Sequence, residues 1–114
     1  MPYLKIQTNI TPDAEVREKL LRTLSKSVAE QLGKPERYVM VAMEAGAPMI
    51  FAGNDAPLAY LELKSIGLPE SSTASLTGSL SELVGEELGI PGDRIYIEFA
   101  DAERKMWGWN GATF

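Results

Sequence analysis

Residues Leu20–Pro35, LLRTLSKSVAEQLGKP, and Leu76–Pro91, LTGSLSELVGEELGIP, are two copies of one pattern. Leu20, Leu24, Val28 and Leu32 fall four apart and make one apolar helix face. Leu76, Leu80, Val84 and Leu88 repeat that face, each 56 residues after its counterpart. Both helices then meet the same stop, Gly33 with Pro35 and Gly89 with Pro91. Glycine takes the left-handed conformation that closes a helix, and proline cannot continue it. Thr11 is the expected N-cap of the first helix, with Pro12 at its first position and Asp13 and Glu15 in the positive first turn.

Outward from each helix the pattern turns strand-like. Tyr3–Thr8 and Tyr38–Met43 flank the first helix, and Leu58–Leu63 and Ile95–Phe99 flank the second. The chain therefore reads β-α-β twice, as pseudo-repeats of about 1–56 and 57–114 within a single domain. At 114 residues, two separate cores would each be near the lower limit of independent stability. The expected fold is α+β: duplicated βαβ units forming a four-stranded sheet with both helices on one face, since parallel crossovers are right-handed. Runs such as Val39–Met43 are apolar at consecutive positions, the pattern of a strand covered on both faces. The second face is then expected to pack against other copies of the chain in a homo-oligomer. Short extra strands are expected at Met49–Phe51 and near the C-terminus, available to pair with a neighbour's sheet edge.

Composition narrows the chemistry. Sixteen acidic against eleven basic residues give a net charge of -5, which opposes the phosphate attraction behind non-specific nucleic-acid binding. With neither cysteine nor histidine, the thiolate and imidazole nucleophile–base pairs and sulfur-ligated metal sites are excluded. Carboxylates, lysines, tyrosines and the chain terminus remain as acid–base groups. No metal or cofactor is expected. No apolar run reaches the ~18 residues of a membrane span and no secretory signal opens the chain, so a cytoplasmic location without membrane partners is expected. Pro2 follows the initiator Met and opens the first strand; removal of Met1 would leave a secondary amine, a potential base, anchored on a rigid element. Lys34 lies in the loop after the first helix, where the second repeat has Ile90, and parallel pairing of the first two strands would set that loop beside Pro2.

Several pieces together resemble macrophage migration inhibitory factor and its tautomerase relatives, in register over the whole chain. They are Met1-Pro2 before a strand ending Thr8-Asn9, Gly33-Lys34-Pro35 with Tyr38, Lys64-Ser65-Ile66-Gly67, Asp93–Ile97, and Gly108-Trp109-Asn110 with Thr113-Phe114. The resemblance implies a homotrimer with active sites at subunit interfaces and keto-enol tautomerisation of phenylpyruvate-like α-keto acids. It implies Pro2 as the base, with Lys34 and the backbone N–H of Ile66 holding the substrate carboxylate or carbonyl. Tyr38, Tyr96, Trp107 and Trp109 would line an aromatic pocket, Tyr96 being given by a neighbouring subunit, and Phe114 would close its wall. Three departures stand out. Leu58–Leu61 replaces the Cys-x-x-Cys segment of the family's cytokine members, Glu98 stands where they have an asparagine, and Trp107 replaces a small aliphatic residue. Two other functional readings are compatible with the sequence. One is a cytokine-like extracellular ligand with a vestigial pocket and an undetermined receptor; the other is a regulatory module that binds small acids without chemistry.

Overall fold

A computed structural model describes residues Met1–Phe114, and its strand pairing follows the duplication. In chain order the elements are β1 (Tyr3–Thr8), α1 (Ala14–Leu32), β2 (Met40–Glu44), β3 (Ala59–Ile66), α2 (Thr73–Leu88) and β4 (Ile95–Ala102), then a hairpin of β5 (Gly108–Trp109) and β6 (Ala112–Thr113). The main sheet has the order β2-β1-β3-β4. β1 pairs parallel with β2, β3 parallel with β4, and the two repeats join antiparallel through β1 and β3.

The repeated leucines make the core. Leu20, Leu24, Val28, Leu76, Leu80, Val84 and Leu88 are all buried against Leu4, Ile6, Leu61 and Leu63 of the central strands, while Leu32 is partly buried at the margin. Each fully buried side chain of this size contributes about 1.5–3 kcal/mol relative to exposure. Gly33 and Gly89 close the helices at φ 63° and 68°, as the stop pattern requires. The N-cap of α1 is Asp13 rather than Thr11: the Asp13 carboxylate accepts from Val16 N at 2.9 Å. An ionised acceptor at the positive helix end outcompetes a hydroxyl two residues earlier.

The strands are more strictly alternating than their composition suggests. Val39, Val41 and Met43 pack toward the helices, as do Ile97 and Phe99. By register, the opposite face carries Tyr3, Lys5 and Gln7 of β1, Met40 and Glu44 of β2, Tyr60, Glu62 and Lys64 of β3, and Tyr96 and Glu98 of β4. Gln7 donates to Glu44 at 2.9 Å, Lys5 pairs with Glu44 at 3.5 Å and Tyr60 donates to Glu98 at 2.8 Å. This face is therefore polar and cross-linked, and the apolar-face argument for assembly does not hold. Methionine and alanine at Met40 and Ala42 lengthened an apolar run whose inward positions alone belong to the core.

Two further expectations are revised. Met49–Phe51 forms no strand; Phe51 makes only an isolated antiparallel bridge to Asn54, with Ala52 at φ 53° in the turn. Tyr38 belongs to a tight helical turn, Glu36–Tyr38, and β2 begins two residues later. At the C-terminus the expected strand is a hairpin whose turn residues, Asn110 and Gly111, both have positive φ (52° and 79°). Asn-Gly is the preferred pair for such a turn because both residues tolerate that region. No helix is long and apolar enough to cross a membrane.

Candidate active site

Parallel pairing of β1 with β2 places the starts of both strands at one end of the sheet, where antiparallel β3 and its partner β4 finish. Met40 N donates to Pro2 O at 3.0 Å, so the segment leaving α1 is fastened beside Pro2. Pro2 itself is fully buried. The chain leaving β4 makes a tight turn at Arg104–Met106 and folds its hairpin over the same end, where Phe114 N donates to Trp107 O at 3.1 Å. Between these parts lies a cavity of about 530 Å³ lined by Pro2, Tyr38, Trp107, Trp109 and Phe114, all singled out in the sequence. Its size falls within the ~300–1,000 Å³ range of small-molecule sites.

The aromatic walls support one another. Trp109 stands edge-on to Tyr38 with ring centres 5.5 Å apart and stacks on Phe114 at 5.9 Å. Such pairs contribute about 0.5–1.5 kcal/mol beyond the area they bury. Trp109 nevertheless remains 55% exposed, so the wall is formed but open on one side.

With Met1 attached, the nitrogen of Pro2 is an amide without a basic lone pair, and the amine at this end is that of Met1. Burial, and secondly the positive charge of Lys34, hold that amine below its ordinary value. Both causes disfavour a cation, and both act at the place a freed Pro2 amine would adjoin.

Other expected residues fall elsewhere in the subunit. Lys34 and Ile66 do not line the Pro2 cavity. They line a different hollow, of about 610 Å³, with Gly67, Asp101 and Arg104. Met1 extends the chain past Pro2, so it is the Met1 amine that feels Lys34. Tyr96 and Glu98 are also outside the Pro2 cavity. Tyr96, 63% exposed, packs on Phe51 with ring centres 4.6 Å apart, and Glu98 accepts from the Tyr60 hydroxyl. That bond to a carboxylate pushes the Tyr60 phenol above its usual range. Phe51 is held in turn by Arg94, whose guanidinium donates to the carbonyls of Phe51, Asn54, Ala56 and Pro57.

Sequence reasoning missed Arg37 and Lys64 in the cavity wall. Lys64 is opposite Tyr3 in the β1–β3 ladder, a placement that needs the antiparallel register between repeats. Arg37 lies in the turn that carries Tyr38, with its guanidinium carbon 4.8 Å from that ring's centre. Its position beside Tyr38 in the sequence was the available signal. No group of side chains suited to holding a metal ion is present.

The structure thus buries a proline at the start of the first strand of a duplicated βαβ sheet, beneath an aromatic cavity, as the resemblance in the sequence implies. The comparisons agree: the family model described as macrophage migration inhibitory factor (MIF) matches residues 1–114. A macrophage migration inhibitory factor homolog of Brugia malayi is 42% identical over 115 aligned residues, covering 100% of this chain and 99% of the relative. The crystal structure of a homologue from Prochlorococcus marinus superposes with a TM-score of 0.93 at 45% identity, covering 98% of each chain. The Trichinella spiralis factor superposes at 0.92 and 33% identity, covering 98% of this chain and 99% of the other. The chain belongs to the macrophage migration inhibitory factor family.

Proposed function

We propose that this chain is a cofactor-independent keto-enol tautomerase for phenylpyruvate-like α-keto acids, with the Pro2 amine, freed by removal of Met1, as its general base. The observation that carries the reading is the buried Pro2 on an aromatic cavity, at an end where burial and Lys34 hold a terminal amine below its ordinary value. In the keto-to-enol direction the amine takes a proton from C3. The C3–H electron pair becomes the C2=C3 bond, and the carbonyl oxygen gains the negative charge and then a proton. The reverse direction returns a proton to C3. A base with a pKa near the working pH suits this exchange, and Lys34 with the backbone N–H of Ile66 would stabilise the oxyanion or the carboxylate.

The assembly proposed is a homotrimer. Family membership supports it, as does the location of Tyr96 and Glu98: exposed on β4 and outside their own subunit's Pro2 cavity, they reach a site only if a neighbour receives them. Glu98, bonded to Tyr60, would bring a negative charge toward an anionic substrate there. The test is conversion between enol and keto phenylpyruvate followed by ultraviolet absorbance. Turnover by the wild type and its loss in Pro2→Ala support the reading; absence of turnover by protein shown to lack Met1 contradicts it.

A further inference from the structure

The Pro2 cavity holds two cations that the proposed reaction leaves unused, Arg37 and Lys64. They come from different elements, the turn after α1 and the end of β3, yet border one space. Neither is neutralised: the ion pairs of the chain are Lys5–Glu44, Lys19–Glu87 and Arg22–Glu18. No aspartate or glutamate side chain lines the cavity, although acidic residues outnumber basic ones sixteen to eleven in the whole chain. Even against the α-carboxylate of Phe114, Arg37 and Lys64 leave the lining of this subunit's cavity locally positive in a protein of net charge -5.

The placement of Arg37 also matters. Its guanidinium lies against the face of Tyr38, a wall residue, and stacking of that kind restrains the group while leaving its N–H edge open. A planar fork with a free edge suits a carboxylate, which it can meet through two parallel bonds. Lys34 adds a third positive charge close enough to act on the terminal amine. Lys34 is outside the cavity lining, and a neighbour's Glu98 would offset part of the positive charge, so the local pair Arg37 and Lys64, rather than the total charge, is what a second carboxylate would meet.

We infer that the cavity favours dianionic ligands: an aromatic α-keto acid carrying a second carboxylate at the far end of its ring, met by Arg37 with Lys64 beside it. This substrate class rests on the tautomerase reading, but the anion site itself can be tested without turnover. Two exposed cations acting on one carboxylate at an open mouth amount to about a tenfold preference at low salt. The preference shrinks as salt screens the charges.

Trp107 and Trp109 are the two tryptophans of the chain and both line the cavity, so intrinsic fluorescence reports its occupancy. Terephthalate and its monoamide, 4-carbamoylbenzoate, have nearly the same shape and differ by one charge. Terephthalate is expected to bind about tenfold more tightly in low-salt buffer, with the ratio falling toward one in Arg37→Gln/Lys64→Gln. In wild type the ratio should also fall as salt is raised, which carries the test if the double variant fails to fold. Equal binding of the two probes by wild type, or a preference that survives both the double substitution and high salt, overturns the inference. Turnover of 4-carboxyphenylpyruvate against its 4-carbamoyl analogue separates the two proposals. Selective binding with neither compound turned over leaves the anion site standing and refutes the tautomerase; turnover of both with no selectivity does the reverse.

Discussion

Truncating Arg94 to alanine should unfasten the segment that carries Phe51 and, through it, the support of Tyr96. The guanidinium donates to Pro57 O at 3.0 Å, Phe51 O at 3.1 Å, Asn54 O at 3.2 Å and Ala56 O at 3.0 Å, and its carbon lies 5.3 Å from the centre of the Phe51 ring. The bond to Phe51 O is partly sheltered and the other three are exposed. Bonds from a charged donor contribute about 1.5–3 kcal/mol when sheltered, while exposed carbonyls recover most of their loss from water. Assigning about 1.5 kcal/mol to the sheltered bond and about 0.5 to each exposed one gives a destabilisation near ~3 kcal/mol. With a urea slope of about 1.5 kcal/mol per molar for a domain of this size, the unfolding midpoint should fall by about 2 M. Circular dichroism during urea titration reads this out, with all variants at one protein concentration because association in the proposed trimer would add to stability. Arg94→Lys should lose more than half as much, since an ammonium keeps the charge but cannot fan out to four carbonyls. A midpoint within about 0.5 M of wild type for Arg94→Ala, or a wild-type midpoint for Arg94→Lys, would refute this account of the loop.

Lys34→Ala is expected to raise KM toward anionic keto acids and to move the acid limb of the pH-rate profile to higher pH. Its charge is the second of two causes depressing the terminal amine, so removing it lets the pKa rise while burial still holds it down; an unmoved limb would show that Lys34 does not act on the base. Light scattering at micromolar concentration should report three subunits, and a stable monomer would rule out a site completed by a neighbour's Tyr96. The pure protein should reduce no disulfide substrate above background, because the chain contains no cysteine; thiol-independent reduction at a steady rate would contradict that.

The helical repeat and its glycine stops were legible because helix burial has a period that four leucine-type positions display directly. Seven of those eight positions are buried, and Leu32 alone falls at the edge of the core. Strand faces were harder to read. Along Val39–Met43 every residue is apolar, so composition does not reveal which positions point inward; the register Leu4 to Val41 and Ile6 to Met43 does. The aromatic lining, Tyr38, Trp107, Trp109 and Phe114, came from a resemblance extending over the whole chain and gathers around Pro2. Lys34 and Ile66 did not join it, since both border a different hollow. Arg37 and Lys64 were given no place in the site, although Lys64 belongs to a quoted motif, because a lysine and an arginine in sequence are ordinary surface charges. Their meaning appears only when a turn and the end of a strand meet at one cavity.

The central claim is that the basic group is the amine of Pro2. A model α-amino group titrates at about 7.7–8.0, and a secondary amine starts higher, so an exposed terminus would be mostly protonated at neutral pH. Burial and Lys34 lower the pKa of the Met1 amine at this end, and the same two causes would act on a freed Pro2 amine, so its neutral, basic form should persist below that range and activity should fall only as pH drops through the depressed value. The direct measurement combines mass spectrometry of the N-terminus with the pH-rate profile of the same sample. The account predicts a rate proportional to the fraction lacking Met1, rising through an apparent pKa below the ordinary range of an α-amino group. Full activity in protein that retains Met1, or an unchanged profile in Pro2→Ala, would contradict it.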